Sequence, residues 1–203
     1  VLDLHLAEPA SVKRAGYAAS GDTRQQVHSG TIPGGRKLRE PYVYGMTQES
    51  FTFQFAEPGA VLLKRRWYFD GEGQTLHVKL NDAPERKWDL TAGEQFNDPG
   101  IRETCFILSD AKQGENRVTI RYEQPGNCAG YRLEPMPRDR VALARWGILN
   151  ARQTMGEVSK YISVVGTPLT IGDENYDSGI GAHATSFIEM PLDGLFESMA
   201  VTV

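Results

Sequence analysis

The chain has 203 residues, 40% of them hydrophobic and 24% charged, which is enough material for one large or two small domains and excludes a largely disordered chain. Its 22 Lys and Arg against 26 Asp and Glu give a formal charge of −4, without the basic excess that binding a phosphate backbone calls for, so nucleic acid is not an expected partner. No apolar run reaches the ~18 to 20 residues that a helix needs to span a bilayer, so no membrane span is expected.

The opening Leu2-Asp3-Leu4-His5-Leu6 alternates apolar with polar residues, which predicts a strand and not the apolar stretch of a secretion signal. The same period of two recurs in Phe51-Thr52-Phe53-Gln54-Phe55, Leu76-His77-Val78-Lys79-Leu80 and Val118-Thr119-Ile120-Arg121-Tyr122. Turns are expected at Glu57-Pro58-Gly59, Asp70-Gly71-Glu72-Gly73, Asn97-Asp98-Pro99-Gly100 and Pro125-Gly126-Asn127, where glycine supplies positive φ and proline presets a bend. With 21 Gly and 11 Pro spread through the chain, long helices would be interrupted, and only Arg138 to Asn150 offers a short helical alternative.

Short strands and frequent turns predict an all-β fold: an antiparallel, jelly-roll-like β-sandwich over residues 1–134, followed by the start of a second unit. Residues 135–140 read as an exposed linker, because Glu134-Pro135-Met136-Pro137-Arg138-Asp139-Arg140 carries two prolines and four charges with little to bury. The start at Val1 and the strand-like ending Met199-Ala200-Val201-Thr202-Val203 lead us to expect a piece of a longer polypeptide. Cys105 and Cys128 are too few and too far apart for a zinc ribbon or a redox pair; they are either buried thiols or a disulfide between neighbouring strands.

Candidate chemistry is sparse. Three tryptophans, Trp67, Trp88 and Trp146, can serve as core or as exposed aromatic platforms for stacking. In Arg65-Arg66-Trp67-Tyr68-Phe69, adjacent aromatics must point to opposite faces, so at least one is expected in the core. Trp88, between Lys87 and Asp89, reads as more exposed than Trp67. His183 sits between small neighbours, where it either meets a ligand or holds the backbone of the Gly179-Ile180-Gly181 turn. His28 beside Ser29 lacks an acidic orienter, so no nucleophile is read there. The four histidines show no metal-ligand spacing, and Gly172-Asp173-Glu174-Asn175-Tyr176-Asp177 reads as a solvated acidic turn, with structural calcium as its alternative. Asp70, Glu72, Asp98 and Glu103 lie in or beside expected turns, where acidic residues are ordinary, so no glycosidase carboxylate pair is singled out.

From Val141 onward the order of motifs is specific: Arg145-Trp146-Gly147, Gly156-Glu157-Val158, Gly166-Thr167-Pro168-Leu169-Thr170-Ile171-Gly172, Tyr176-Asp177-Ser178-Gly179-Ile180-Gly181-Ala182-His183-Ala184, Ser186-Phe187-Ile188 and Leu192-Asp193-Gly194-Leu195-Phe196. This series resembles the NPCBM domain, the carbohydrate-binding module of the glycosyl hydrolase family 98 type, which implies that residues 141–203 are the first part of a second β-sandwich, truncated at its C-terminal end. The N-terminal part more loosely resembles β-sandwich accessory domains of bacterial glycosidases, through His28-Ser29-Gly30, Gly34-Gly35-Arg36, Phe51-Thr52-Phe53, Asn116-Arg117-Val118-Thr119-Ile120 and Ala129-Gly130-Tyr131-Arg132-Leu133.

The resemblance implies a non-catalytic region that recognises a glycan, galactose-containing ones among them, without a cofactor. Trp146, His183, Tyr176 and Trp88 are the candidate sugar contacts. It further implies an extracellular or periplasmic setting and a partner catalytic domain, a glycoside hydrolase, in the same parent chain. The competing expectation is a structural spacer that packs on the catalytic domain and binds no sugar.

Overall fold

The computed structural model describes residues 2–31, 37–69, 73–90, 100–136, 150–153, 159–160, 163–183, 185–190 and 196–200. Val1–Ala92 with Asp98–Met136 form one compact unit, and Gly93–Asn97 with Pro137–Val203 form a second.

The first unit is an antiparallel β-sandwich. One sheet has the order β1 (Leu2–His5), β9 (Gly130–Pro135), β4 (Gly59–Phe69), β7 (Gly100–Ala111). The other runs β2 (Ala18–Thr31), β3 (Lys37–Phe55), β8 (Gly114–Cys128), β5 (Gln74–Leu80), β6 (Arg86–Leu90). The alternation read in the sequence sets which residues face inward. Leu76, Val78 and Leu80 of β5, Val118, Ile120 and Tyr122 of β8, and Phe51 and Phe53 of β3 are buried from one sheet. They meet Leu63 and Trp67 of β4, Ile107 of β7 and Tyr131 and Leu133 of β9 from the other. Phe51 packs across the sandwich on Tyr131, with ring centroids 4.8 Å apart.

Two local features depart from the expected pattern. A one-and-a-half-turn helix, α1 (Pro9–Arg14), follows β1. Pro9 opens it, where the missing N–H costs nothing, and Lys13 and Arg14 sit in its last turn, where the helix dipole favours cations. Pro125-Gly126-Asn127 is not a turn: it continues β8, re-pairing with β3 through Met46↔Gly126 and Tyr44↔Asn127 after a break in register. The proline is tolerated because it falls at that irregularity, where no ladder hydrogen bond is lost.

Cys105 and Cys128 are buried thiols, not joined in a disulfide. Burial, followed by the nearby Glu49, pushes the Cys128 thiol up to about 12.

Among its described residues the second unit has three antiparallel pairs: β10 (Asn150–Gln153) with β15 (Ser186–Glu189), β11 (Ser159–Lys160) with β14 (Ile180–Gly181), and β12 (Leu169–Ile171) with β13 (Glu174–Tyr176). The segment Arg138 to Asn150, with its helical alternative, lies outside the described residues up to Asn150, which begins β10. No helix among the described residues is long and apolar enough to cross a membrane.

Candidate functional site

The inner face of the first unit holds a polar network that the alternation pattern, read only for apolar residues, passes over. Arg65 of β4 occupies an inward position between Leu63 and Trp67 and is 0% exposed; Glu49 of β3 shares the inward parity of Phe51 and is 1% exposed. The two charges are joined through tyrosines. Tyr122 and Tyr131 donate to Glu49 Oε1, and Tyr17 donates to Oε2 at 2.9 Å. Arg65 donates from Nε to the Tyr131 hydroxyl at 3.2 Å, and from Nη2 to the Tyr122 hydroxyl and Gln74 Oε1, each at 3.0 Å, and to the Asn127 carbonyl.

Burial, reinforced by the Glu49 charge, raises the three tyrosines above their ordinary range and so keeps them as donors. For Arg65 burial acts the other way, yet Tyr122, Tyr131, Cys128 and Glu49 outweigh it and hold the guanidinium charged.

This network fixes the end of β8. Asn127, its carbonyl held by Arg65, uses its side chain to clamp the backbone of Tyr68: Oδ1 accepts from the Tyr68 N–H at 2.7 Å and Nδ2 donates to the Tyr68 carbonyl at 2.8 Å. Beside it lies an open groove of about 470 Å3, lined by Asp22, Arg24, Tyr44, Thr47, Gly126 and Asn127 among others.

The groove exists because two strand pairings slip at the same place. Register shifts fall between Gly21 and Arg24 on β2, and on β3 between Tyr44 and Met46 and between Met46 and Gln48. Gly45 has φ 81°, and a Cβ there would stand 2.2 Å from the Asp22 carbonyl oxygen, so only glycine permits this close approach. The bulge turns Asp22 back onto Arg24, whose Nη2 meets Asp22 Oδ2 at 2.9 Å in an exposed pair. Tyr44 pairs across the strands with Arg24 and is half-buried.

Along the same face, Tyr42 stacks on Tyr68 at 4.9 Å and donates to Gln26 at 2.5 Å, while His28 lies 4.9 Å from Tyr68. Arg66 pairs there with Glu40.

Of the residues singled out from sequence, Trp88 belongs to the first unit, and Tyr176 and His183 belong to the second. Trp88 is a correction: it is 2% exposed, in the core, with its ring 5.1 Å from Phe106, and it cannot stack on a sugar. Its polar neighbours Lys87 and Asp89 are the outward alternates of β6, paired with one another at 3.1 Å, and they mark the far side of the strand and not an exposed tryptophan. Trp146 lies outside the described residues. Tyr176 ends β13, half-buried, and donates to Glu174 at 3.0 Å. His183 follows β14 and is half-buried.

The acidic run considered for calcium forms the β12–β13 hairpin, with Gly172 at φ 60° in a two-residue turn. Among the described residues, no three His, Cys, Asp or Glu side chains gather as a metal site. The hairpin does bring two sequence motifs together. Leu169 pairs with Tyr176, and a Cβ on Gly179 would stand 2.7 Å from Leu169 Cδ1, so the Pro168-Leu169 block packs on the Gly179-Ile180-Gly181 block.

Comparison with solved structures finds family 35 carbohydrate-binding modules. One from Cellvibrio japonicus Abf62 is 15% identical, with 67% of this chain and 95% of that one covered and a TM-score of 0.47. One from Clostridium thermocellum is 14% identical, with 64% and 96% covered and a TM-score of 0.44. The GH26-CBM35 β-(1,4)-mannanase of Podospora anserina is 15% identical, with 62% of this chain and 28% of that one covered and a TM-score of 0.42. No curated protein matches the chain. Residues 139–203 match the family model of the NPCBM/NEW2 domain, the segment in which the ordered glycine, tyrosine and histidine motifs lie, and a carbohydrate-binding module is thereby supported.

Proposed function

We propose that the chain is a non-catalytic glycan-binding region of an exported glycoside hydrolase, which keeps the catalytic domain close to its polysaccharide. The observation that carries this is the NPCBM/NEW2 match over residues 139–203. The physical gain is effective concentration: once one module is held on the glycan, the next encounter of the enzyme with that glycan is intramolecular, even where each sugar contact is weak. In the second unit Trp146, Tyr176 and His183 supply the sugar contacts: aromatic rings for the apolar face, and an imidazole that both donates to and accepts from hydroxyls.

The test is affinity electrophoresis of the chain through gels containing galactan, xylan or mannan. Retention by at least one polysaccharide, reduced in Trp146→Ala and His183→Ala proteins that keep the wild-type circular dichroism, is the expected result. Wild-type retention by both folded variants removes these residues from the site.

A further inference from the structure

We propose that the groove at the bulged end of the first unit is a second sugar site, outside the family-matched segment, and that it takes an uncharged pyranose. The assignment rests on the reading of the chain as a glycan-binding region.

The groove's volume of about 470 Å3 falls within the range of about 300 to 1,000 Å3 that small-molecule sites occupy. Its chemistry is that of a sugar cradle. Tyr44 offers a half-buried ring, an amphipathic platform for the C–H face of a pyranose, with a phenol at its tip.

Asp22 and Arg24, 2.9 Å apart, form a ready acceptor–donor unit. One ring hydroxyl donates to the carboxylate while its neighbour accepts from the guanidinium, charge-assisted bonds on both sides.

The charges of Arg24 and Asp22 cancel, and the other groove residues carry none. A carboxylate-bearing sugar would sit against the Asp22 charge or have to draw Arg24 away from it, whereas a neutral sugar keeps the pair intact.

The site is also held in shape before anything binds. The Gly45 approach to the Asp22 carbonyl sets the bulge, and the Arg65 to Asn127 bond with the Asn127 clamp on Tyr68 fixes the opposite wall. Affinity is gained when such ordering does not have to be done on binding.

The experiment is an amide shift titration of the isotopically labelled 203-residue chain with the methyl glycosides of galactose, glucose and mannose, and with glucuronate. At least one neutral glycoside is expected to shift the amides of Asp22, Arg24, Tyr44 and Thr47 saturably. Tyr44→Ala and Arg24→Gln should each weaken that binding at least tenfold, while Tyr44→Phe keeps it within about threefold. Arg24 is an exposed side chain, so its variant carries the test if Tyr44→Ala does not fold.

Saturable shifts confined to residues 139–203 overturn this site and leave the proposed function standing. No shift with any glycoside overturns this site and counts against that reading as well. Glucuronate binding as tightly as the neutral sugars, or more tightly, overturns the uncharged-ligand assignment.

Discussion

Replacing Arg65 with Met removes the charge at the centre of the first unit while keeping an unbranched apolar side chain of similar length. Four hydrogen bonds go: to the hydroxyls of Tyr131 and Tyr122, to Gln74 Oε1 and to the Asn127 carbonyl. Counted singly, bonds to a charged group at about 1.5 to 3 kcal/mol each would overstate the loss, because these bonds share partners and are not additive. Both tyrosines keep their bonds to Glu49, and Gln74 keeps a weak contact from the Asn127 N–H. What remains is a buried Glu49 carboxylate without its cation, together with a bare Asn127 carbonyl. Breaking a buried charge pair from one side costs about 3 to 5 kcal/mol. Urea unfolding followed by the emission of the buried Trp67 and Trp88 reads this directly. A Glu49→Leu and Arg65→Met double variant should lose less than the sum of the single losses, since no charge is then left stranded. A loss below about 1 kcal/mol for Arg65→Met, or additive single losses, would refute the view that the tyrosines couple these two charges.

Trp88→Ala should cost about 3 to 5 kcal/mol in urea unfolding, as for a large aromatic removed from a core, and leave polysaccharide retention unchanged in the folded fraction. Gly45→Val forces a β-branched residue to φ 81° against the Asp22 carbonyl, so we expect a loss of at least about 1 to 3 kcal/mol and no glycoside shift at Arg24. Alkaline pH should destabilise the first unit. Cys128, raised from 9.0 to about 12, and the buried tyrosines, raised above 10.0, stay protonated in the fold after their unfolded counterparts ionise. The unfolded chain then binds fewer protons, so this stabilisation is intact below pH 9 and is lost as pH rises towards 12. Urea midpoints measured from pH 7 to 11 should be flat at first and then fall; a midpoint that rises above pH 9 would contradict the assignment.

What the sequence revealed, and what it hid, follows from how local each signal is. The strands at Leu76 to Leu80 and Val118 to Tyr122 are visible because alternation is a property of five neighbouring residues. The motif block from Gly166 to His183 is visible for the same reason: the hairpin that folds Leu169 onto Tyr176 is written in consecutive residues.

Arg65 and Glu49 escape a pattern read for apolar residues, because a charge is assumed to face water. Their positions in Leu63-x-Arg65-x-Trp67 and Glu49-x-Phe51-x-Phe53 carry inward parity all the same, and that is the signal that would have found them. Trp88 reads as exposed for the converse reason, since its polar neighbours describe the opposite face of the strand. The groove could not be read at all. It depends on register slips in both the β2–β3 and the β3–β8 pairings, which bring Asp22 against Gly45 and Gly126 against Met46. Pro125-Gly126-Asn127 gives a turn signal that the sheet overrides, because Asn127 finds its partners in Arg65 and Tyr68, about 60 residues away in the chain.

Binding of the 203-residue chain to an array of galactose-, glucose-, fucose- and N-acetylhexosamine-terminated glycans tests the central claim most directly. Selective retention on one class of terminal sugar, competed by the free sugar, is the predicted result. A folded chain retained on none of them would contradict the glycan-binding account and leave the region as a spacer.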